Sequence, residues 1–137
     1  MSYFIISLGT VLYFLYIAKY LIISVFIIGL FIALIQNASY IYTALINPGL
    51  AVYEPNNINY YDTNRRFCNK CKIYVNSDTT YHCYYCDICI IDHDHHCPWT
   101  SKCIGRKNLI SFYVFVTSTF VLFLFMFFTG IFSISKN

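Results

Sequence analysis

The segment from Cys89 to Cys103 carries the residues of this chain whose types and spacing are best suited to chemistry. It reads CIIDHDHHCPWTSKC and holds three histidines and three cysteines within fifteen residues. Thiolates and imidazoles are preferred ligands of zinc, and they are also common partners in nucleophilic catalysis. Either all of these sulfur atoms bind metal, or one of them is free to react.

All seven cysteines of the chain lie between residues 68 and 103, and four of them form the CxxC pairs CNKC and CYYC. This spacing lets neighbouring thiolates share a tetrahedral ion at about 2.3 Å. An odd number of cysteines and a reducing cytosolic environment argue against disulfides. The 36 residues from Cys68 to Cys103 show no apolar periodicity that would build a core, so bound metal is expected to supply much of their folding free energy.

The number of available ligands limits how metal can be bound. Two four-coordinate zinc sites need eight ligands, whereas the chain offers seven cysteines and four histidines. Three cysteines and one histidine in each site would leave one cysteine over, and counting alone does not identify it. His95, His96 and Cys97 are consecutive, so their side chains do not easily all turn toward one ion. If His96 faces a zinc ion, His95 and Cys97 can face elsewhere.

A free Cys97 beside an imidazole and near a metal centre would have the setting of a nucleophile. Asp94 is placed to accept a hydrogen bond from His95 and to fix its tautomer. The alternative is that Cys97 is a seventh structural ligand or an inert buried thiol. The adjacent histidine and aspartate favour the catalytic interpretation.

Long apolar segments lie on both sides of the cysteine-rich loop. Of the 137 residues, 58% are hydrophobic and only 11% are charged. Lys19 is the only charged residue in the first 53 positions, and none occurs from residue 109 to residue 132. Lipid is therefore the expected solvent for most of the chain.

The sequence predicts an all-α integral membrane protein with three transmembrane helices and a small two-zinc domain of short hairpins and loops. The helices are expected over residues 3–18, 21–45 and 109–132, with a turn at Lys19 and Tyr20. A signal peptide is the alternative for the first helix. However, no basic residue precedes that apolar run, and no small-residue cleavage site follows it.

The domain order predicted from these patterns is a transmembrane hairpin (1–46), a linker with an NPG turn (47–67), a cysteine-rich zinc domain (68–108), the third helix (109–132) and a tail (133–137). All six acidic residues and seven of the nine basic ones lie between the second and third helices. By the positive-inside rule this loop faces the cytosol. The net charge of +3 reflects that topology, and no nucleic-acid partner is expected because the sequence has no basic stripe outside the predicted spans.

The motif DHHCPW, followed by SKCIG and preceded by two CxxC pairs, resembles the cysteine-rich domain of the DHHC protein S-acyltransferases. The similarity runs from Cys68 to Phe112, and the NPG of residues 47–49 is similar to the family's DPG turn. The resemblance implies one zinc ion held by Cys68, Cys71, His82 and Cys89 and another held by Cys83, Cys86, His96 and Cys103. It also implies that Cys97 is the acylated nucleophile, that His95 is its general base, and that Asp94 orients His95.

The activity implied by the resemblance is protein-cysteine S-palmitoyl transfer. A long-chain acyl group would pass from acyl-CoA (palmitoyl-CoA) to Cys97, and then to a membrane-proximal cysteine of a substrate protein. Both zinc ions would be structural. Arg106 and Lys107 are candidates for binding the CoA phosphates, with positive-inside anchoring in the bilayer as the alternative. The expected location is the Golgi, the endoplasmic reticulum or the plasma membrane, with the cysteine-rich domain facing the cytosol.

Two features depart from the family's pattern. Between Cys71 and His82 the run KIYVNSDTTY lacks the usual Lys-Pro or Pro-Pro and the nearby arginine, and it is one residue longer. The family normally has four or more spans followed by a TTxE motif, whereas three spans are predicted up to Asn137. A truncated gene model, a fragment, or an assembly that borrows the missing wall from a second copy would account for this. The alternative function is a truncated, non-catalytic, membrane-anchored zinc-binding interaction module.

Overall fold

The computed structural model describes residues 2–16, 22–52 and 64–135. It contains two compact units, one formed within residues 1–43 and 111–137 and the other by residues 44–110. The predicted turn at Lys19 and Tyr20 and most of the predicted linker lie outside the described residues. The two units are described separately below.

Three helices contribute to the first unit: α1 (Ser2–Tyr16), α2 (Ile23–Leu45) and α3 (Leu109–Ser135). Helices α2 and α3 are long and apolar enough to cross a membrane, with mean hydropathies of 1.8 and 2.2. Helix α1 has 15 residues and falls short of the roughly 20 that span a bilayer without tilt. Within residues 2–16, 22–52 and 64–135 there are thus two membrane-span candidates and one shorter apolar helix, where the sequence predicted three spans.

Helices α2 and α3 pack against each other in opposite directions. A Cβ atom on Gly29 would lie 2.5 Å from the ring of Phe125, so the absence of a side chain at this position on α2 makes room for that ring from α3. Further along, the rings of Tyr40 and Phe115 meet edge to face with their centroids 5.4 Å apart. The contact partner on α3 moves to lower residue numbers as α2 advances, which makes the pair antiparallel.

The second unit is built from three consecutive two-stranded antiparallel hairpins, which confirms the predicted region of short hairpins. Their strands are β1 (Arg65–Cys68) with β2 (Ile73–Asn76), β3 (Thr80–Cys83) with β4 (Ile88–Ile91), and β5 (His95–Cys97) with β6 (Lys102–Ile104). The central apolar cluster of the unit is formed by Cys83, Ile90 and Cys103, with Cys86 and Ile88 packed against it. So small a core contributes little hydrophobic stabilisation on its own.

The NPG turn is part of this second unit. The side-chain oxygen of Asn47 accepts hydrogen bonds from the amides of Gly49 and Leu50 at 2.8 and 2.9 Å, which closes an Asx turn. Leu50 then forms an antiparallel bridge with Ile90 of β4. The segment that follows α2 therefore adds to the edge of the second hairpin.

The loop from β6 to α3 is fixed by a buried asparagine. Asn108 is fully buried; its side chain accepts a hydrogen bond from the Gly105 amide at 2.8 Å and donates one to the Cys103 carbonyl at 3.0 Å. A Cβ atom on Gly105 would lie only 2.8 Å from the carbonyl oxygen of Pro48. This loop and the NPG turn are therefore in direct backbone contact, and α3 begins at the next residue, Leu109.

Candidate functional site

Two groups of four metal-binding side chains form within the three hairpins. The first group is Cys68, Cys71, His82 and Cys89, and the second is Cys83, Cys86, His96 and Cys103. Within each group the four ligand atoms lie within 4.8 Å of one another. The structure therefore brings together the same two sets of residues that the resemblance implied.

The two groups have the same construction. Each combines a CxxC turn at the tip of one hairpin with a histidine and a cysteine that face each other across the next hairpin. In the first group the cross-strand pair is His82 and Cys89, and in the second it is His96 and Cys103. Paired residues project from the same face of a hairpin, so strand register alone brings each histidine to its cysteine.

The spacing of the donors in the first group fits a zinc ion. The Nδ1 atom of His82 lies 3.6 Å from the sulfur of Cys68, 3.3 Å from that of Cys71 and 3.8 Å from that of Cys89. Tetrahedral zinc with bonds of about 2.3 Å to sulfur and 2.0 Å to nitrogen sets such N–S separations near 3.6 Å.

The second group has matching dimensions. The Nδ1 atom of His96 lies 3.7, 3.3 and 3.7 Å from the sulfur atoms of Cys83, Cys86 and Cys103. Each group offers three sulfur atoms and one nitrogen, which is a closed donor set of the kind found in structural zinc sites. Both groups can hold a metal ion.

The thiol pKa values show why a cation suits these groups. A hydrogen bond from the Cys71 amide lowers the pKa of Cys68 to about 7. In the same group, burial and the neighbouring thiols raise the pKa of Cys89 to about 12. Burial likewise raises the pKa of Cys103 in the second group. Ionisation of one thiol thus disfavours ionisation of its neighbours. A divalent cation would supply the positive charge that lets all three thiols of a group ionise together.

Neighbouring side chains hold the two imidazoles in place. Tyr84 packs edge-on against His82 with the ring centroids 5.2 Å apart, and Tyr85 stacks on His96 at 4.9 Å. The Asp87 carboxylate lies 3.3 Å from the Nε2 atom of His82, which leaves Nδ1 directed at the sulfur atoms. Contacts of this kind restrict the orientation of the imidazole rings. The sequence prediction did not assign a role to these two tyrosines.

Cys97 is the one cysteine of the seven that belongs to neither group, and all seven lie in the described part of the chain. Successive side chains of a strand point to opposite faces. Because His96 of β5 contributes to the second group, its neighbours His95 and Cys97 project from the other face. Only 2% of Cys97 is exposed to solvent.

His95 is hydrogen-bonded to the preceding residue. Its Nδ1 atom lies 2.8 Å from the Oδ2 atom of Asp94. An ionised carboxylate only accepts hydrogen bonds, so this contact places the proton of a neutral His95 on Nδ1 and makes Nε2 the unprotonated nitrogen. The arrangement can fix an imidazole in the tautomer that a general base requires.

A lysine that the sequence prediction did not single out lies opposite Cys97. Lys102 is the cross-strand partner of Cys97 in the third hairpin, and its ammonium donates a 2.9 Å hydrogen bond to the carbonyl of Ala44. That carbonyl lies in the last turn of α2, where a cation is favoured. The pairing of Lys102 with Cys97 depends on the length of the turn after Cys97. The sequence prediction therefore could have found it only from the strand register.

Arg106 and Lys107 lie in the loop between β6 and α3, and both are exposed. The Nε atom of Arg106 is 3.2 Å from the Oδ2 atom of Asp92, and the arginine side chain remains 70% exposed. The amide of Lys107 donates to the Pro48 carbonyl at 3.1 Å, which fixes its backbone. The two cationic ends are therefore held on an ordered loop and remain accessible to solvent.

Comparison with known proteins identifies the same region. The model of the DHHC palmitoyltransferase family matches residues 61–137. Palmitoyltransferase ZDHHC14 of Danio rerio is 42% identical over 62 residues, which cover 45% of this chain and 12% of that protein. For Palmitoyltransferase ZDHHC18 of Homo sapiens the identity is 42% over 62 residues, covering 45% of this chain and 16% of the relative. Palmitoyltransferase ZDHHC2 of Rattus norvegicus is 38% identical over 61 residues, which cover 44% of this chain and 16% of that protein. The aligned part of this chain thus spans less than a fifth of the length of these relatives.

Proposed function

Because the chain belongs to the DHHC palmitoyltransferase family, we propose that it is a protein-cysteine S-acyltransferase that uses a long-chain acyl-CoA. The observation that carries this proposal is the setting of Cys97. Its thiol is buried, it lies outside both ligand groups, and it shares a strand face with a histidine that is hydrogen-bonded to Asp94. A thiol with a base and an orienting carboxylate is the arrangement of a cysteine nucleophile.

In the first half-reaction the Nε2 atom of His95 takes the proton from the Cys97 thiol. The thiolate attacks the carbonyl carbon of the acyl-CoA thioester, and the bond from that carbon to the CoA sulfur breaks. The departing CoA thiolate takes the proton back from His95. Asp94 holds the imidazole and stabilises its charge while it carries the proton, without itself becoming protonated.

In the second half-reaction the thiol of a substrate protein gives its proton to His95, and its sulfur attacks the acyl carbon on Cys97. The bond to the Cys97 sulfur breaks, and Cys97 recovers the proton. Burial of Cys97 supports this sequence because water is kept from the acyl-enzyme until a substrate cysteine arrives. The expected substrates are proteins with cysteines close to the membrane surface.

Two zinc ions, bound by the two ligand groups, would supply the folding free energy that the small core lacks. Their donor sets are closed, so we assign them no part in the reaction. The second group has a more direct effect on Cys97, because His96 of that group lies between His95 and Cys97 on β5. Holding His96 fixes the direction in which both neighbours project.

The membrane arrangement that we propose has three spans, formed by α1, α2 and α3, with the hairpin unit on the cytosolic side. The basic residues between α2 and α3 support this orientation. Arg106 and Lys107 carry exposed charge close to the start of α3 and would bind the CoA phosphates, while the acyl chain enters lipid. The proposed location is an endomembrane (Golgi or endoplasmic reticulum) or the plasma membrane.

The test uses the purified zinc-loaded chain in detergent with a palmitoyl-CoA analogue that carries a clickable tail. We expect hydroxylamine-sensitive label on the wild type and none on Cys97→Ser, with two zinc ions bound to both proteins. Label that persists on Cys97→Ser would show that Cys97 is not the nucleophile. A wild type that binds two zinc ions and takes no label would favour the non-catalytic zinc-binding module.

A further inference from the structure

The first hairpin, residues 64–77, has a charge and an exposed surface that neither the zinc groups nor the proposed reaction explains. It carries four basic residues and no acidic ones: Arg65, Arg66, Lys70 and Lys72. Phe67 and Tyr74 form a cross-strand pair on one face, with ring centroids 5.0 Å apart. They are 44% and 64% exposed, so two aromatic rings stand in solvent beside clustered positive charge.

The other face of this hairpin packs against the rest of the unit. Val75 is buried there. The guanidinium of Arg66 donates a 2.7 Å hydrogen bond to the Thr80 carbonyl and lies 5.4 Å above the ring of Tyr81. These contacts connect the first hairpin to the second and direct the rings of Phe67 and Tyr74 away from it.

The tip of the hairpin adds further positive charge. Lys70 lies within the CNKC turn and Lys72 follows it, and both are exposed. Lys72 has a left-handed backbone with φ of 58°, a conformation that residues other than glycine rarely adopt. The turn geometry therefore holds both lysines at the end of the hairpin that also carries the aromatic pair.

We propose that the first hairpin binds the headgroup layer of an anionic lipid bilayer. Phe67 and Tyr74 would enter the interface, where aromatic side chains are favoured, while Lys70 and Lys72 meet lipid phosphates and carboxylates. The proposal rests on the membrane insertion contained in the proposed function. The hairpin unit is joined to α2 at one end and to α3 at the other, so a bilayer that holds these helices is always at a high effective concentration.

The second hairpin provides a comparison within the same molecule. Its turn has the same spacing, but Tyr84, Tyr85 and Asp87 occupy the places of Asn69, Lys70 and Lys72. The second hairpin therefore exposes aromatic rings but carries no lysine or arginine. Of these two hairpins, charge-dependent attraction to an anionic surface should therefore act on the first and not on the second.

The experiment measures amide hydrogen exchange of the zinc-loaded full chain in nanodiscs of phosphatidylcholine, alone or with about one-third phosphatidylserine. In the anionic discs we expect exchange of residues 65–76 to slow at least fivefold, while residues 80–91 do not change. Screening by about 0.5 M salt should remove the difference. Because each lysine near an anionic bilayer adds to the attraction, the double variant Lys70→Gln/Lys72→Gln should lose most of the effect, and Lys70→Arg/Lys72→Arg should retain it.

The outcomes separate this proposal from the proposed function. Equal exchange in both kinds of disc, for a chain that is inserted and acylated on Cys97, would overturn the lipid surface and leave the enzyme proposal intact. Protection in neutral discs on adding free CoA, and none from phosphatidylserine, would also overturn it, because soluble phosphate would then be the ligand. Protection by phosphatidylserine in a chain that takes no acyl label would support the surface while the enzyme proposal failed. Two bound zinc ions in each lysine variant show that its fold is retained.

Discussion

The first two hairpins and the third share one turn geometry and differ in what that turn binds. Cys68, Cys83 and Cys97 each end the first strand of their hairpin. Four residues later each turn contains a left-handed residue: Lys72, Asp87 and Ser101, with φ of 58°, 53° and 51°. Cys97 therefore occupies the position that, in the other two hairpins, contributes a sulfur atom to a group that could hold a metal ion.

Cys97 lacks the three partner side chains that complete each ligand group in the first two hairpins. The residue three positions on is a cysteine in the first two turns and Thr100 in the third. Each of the first two turns also receives a histidine and a cysteine from the next hairpin, whereas α3 follows the third one. A ligand position without its partners keeps a precisely placed thiol and leaves its sulfur available to react. This gives a physical reason why the proposed nucleophile can lie beside two candidate metal groups.

Substitutions of Cys83 and Cys97, which end the first strands of their hairpins, are expected to differ most in zinc binding, stability and acyl labelling. Cys83→Ser should bind one zinc ion fewer and destabilise the unit by several kcal/mol, since binding of structural zinc supplies folding free energy. Cys97→Ser should keep both zinc ions and its Tm, while acyl labelling is lost. Metal analysis, thermal unfolding and labelling of the two variants side by side check this. Loss of a zinc ion in Cys97→Ser would make Cys97 a ligand like the others and would contradict the comparison.

The contact between Asp94 and His95 gives the next largest effect. Asp94→Asn removes the carboxylate that holds Nδ1 of His95, so we expect the rate of Cys97 acylation to fall by about 100-fold through the wrong tautomer. Both zinc ions should remain bound. Asp78→Asn is the matched control, because Asp78 lies on an exposed turn; its rate should stay within about twofold. Equal losses in the two variants would indicate a general effect of charge.

The contact of the third hairpin with the NPG turn predicts a stability effect. In Gly105→Ala the new methyl group would lie 2.6 Å from the Cγ2 atom of Ile90 and 2.8 Å from the Pro48 carbonyl oxygen, which belongs to the backbone. We expect a loss of about 1–3 kcal/mol, measured by thermal unfolding of the zinc-loaded protein. Gly130→Ala, which meets nothing within 4 Å, should change the stability by less than about 1 kcal/mol. A neutral Gly105→Ala would show that this loop and the NPG turn are not in close contact.

Features that depend on neighbouring residues could be predicted from the sequence, whereas features that depend on residues far apart along the chain could not. The apolar lengths of α2 and α3 and the hairpin region follow from composition and local spacing. Counting ligands left the spare cysteine open, and the resemblance supplied both the assignment of the two groups and the role of Cys97. The roles of the ligands, Cys97, His95 and Asp94 remain predictions. The backbone contact between Gly105 and Pro48 joins residues 57 positions apart, and no local pattern indicates it.

Substitution of Lys102 is expected to have the smallest effect, and it tests how the third hairpin differs from the first two. Within the described residues no candidate metal group lies at the tip of the third hairpin, and the 2.9 Å hydrogen bond from its cross-strand lysine to the Ala44 carbonyl is a contact that can hold that end. Lys102→Met should lower the stability by about 1 kcal/mol, which is typical of a hydrogen bond from a charged donor at a helix end. Cys97 acylation should slow by about three- to tenfold with both zinc ions retained, because a loosely held nucleophile spends less time in reactive geometry. Lys102→Arg should restore the rate if the contact positions Cys97. Slow acylation in the arginine variant, with its stability recovered, would mean that holding the end of the hairpin is not what the reaction needs.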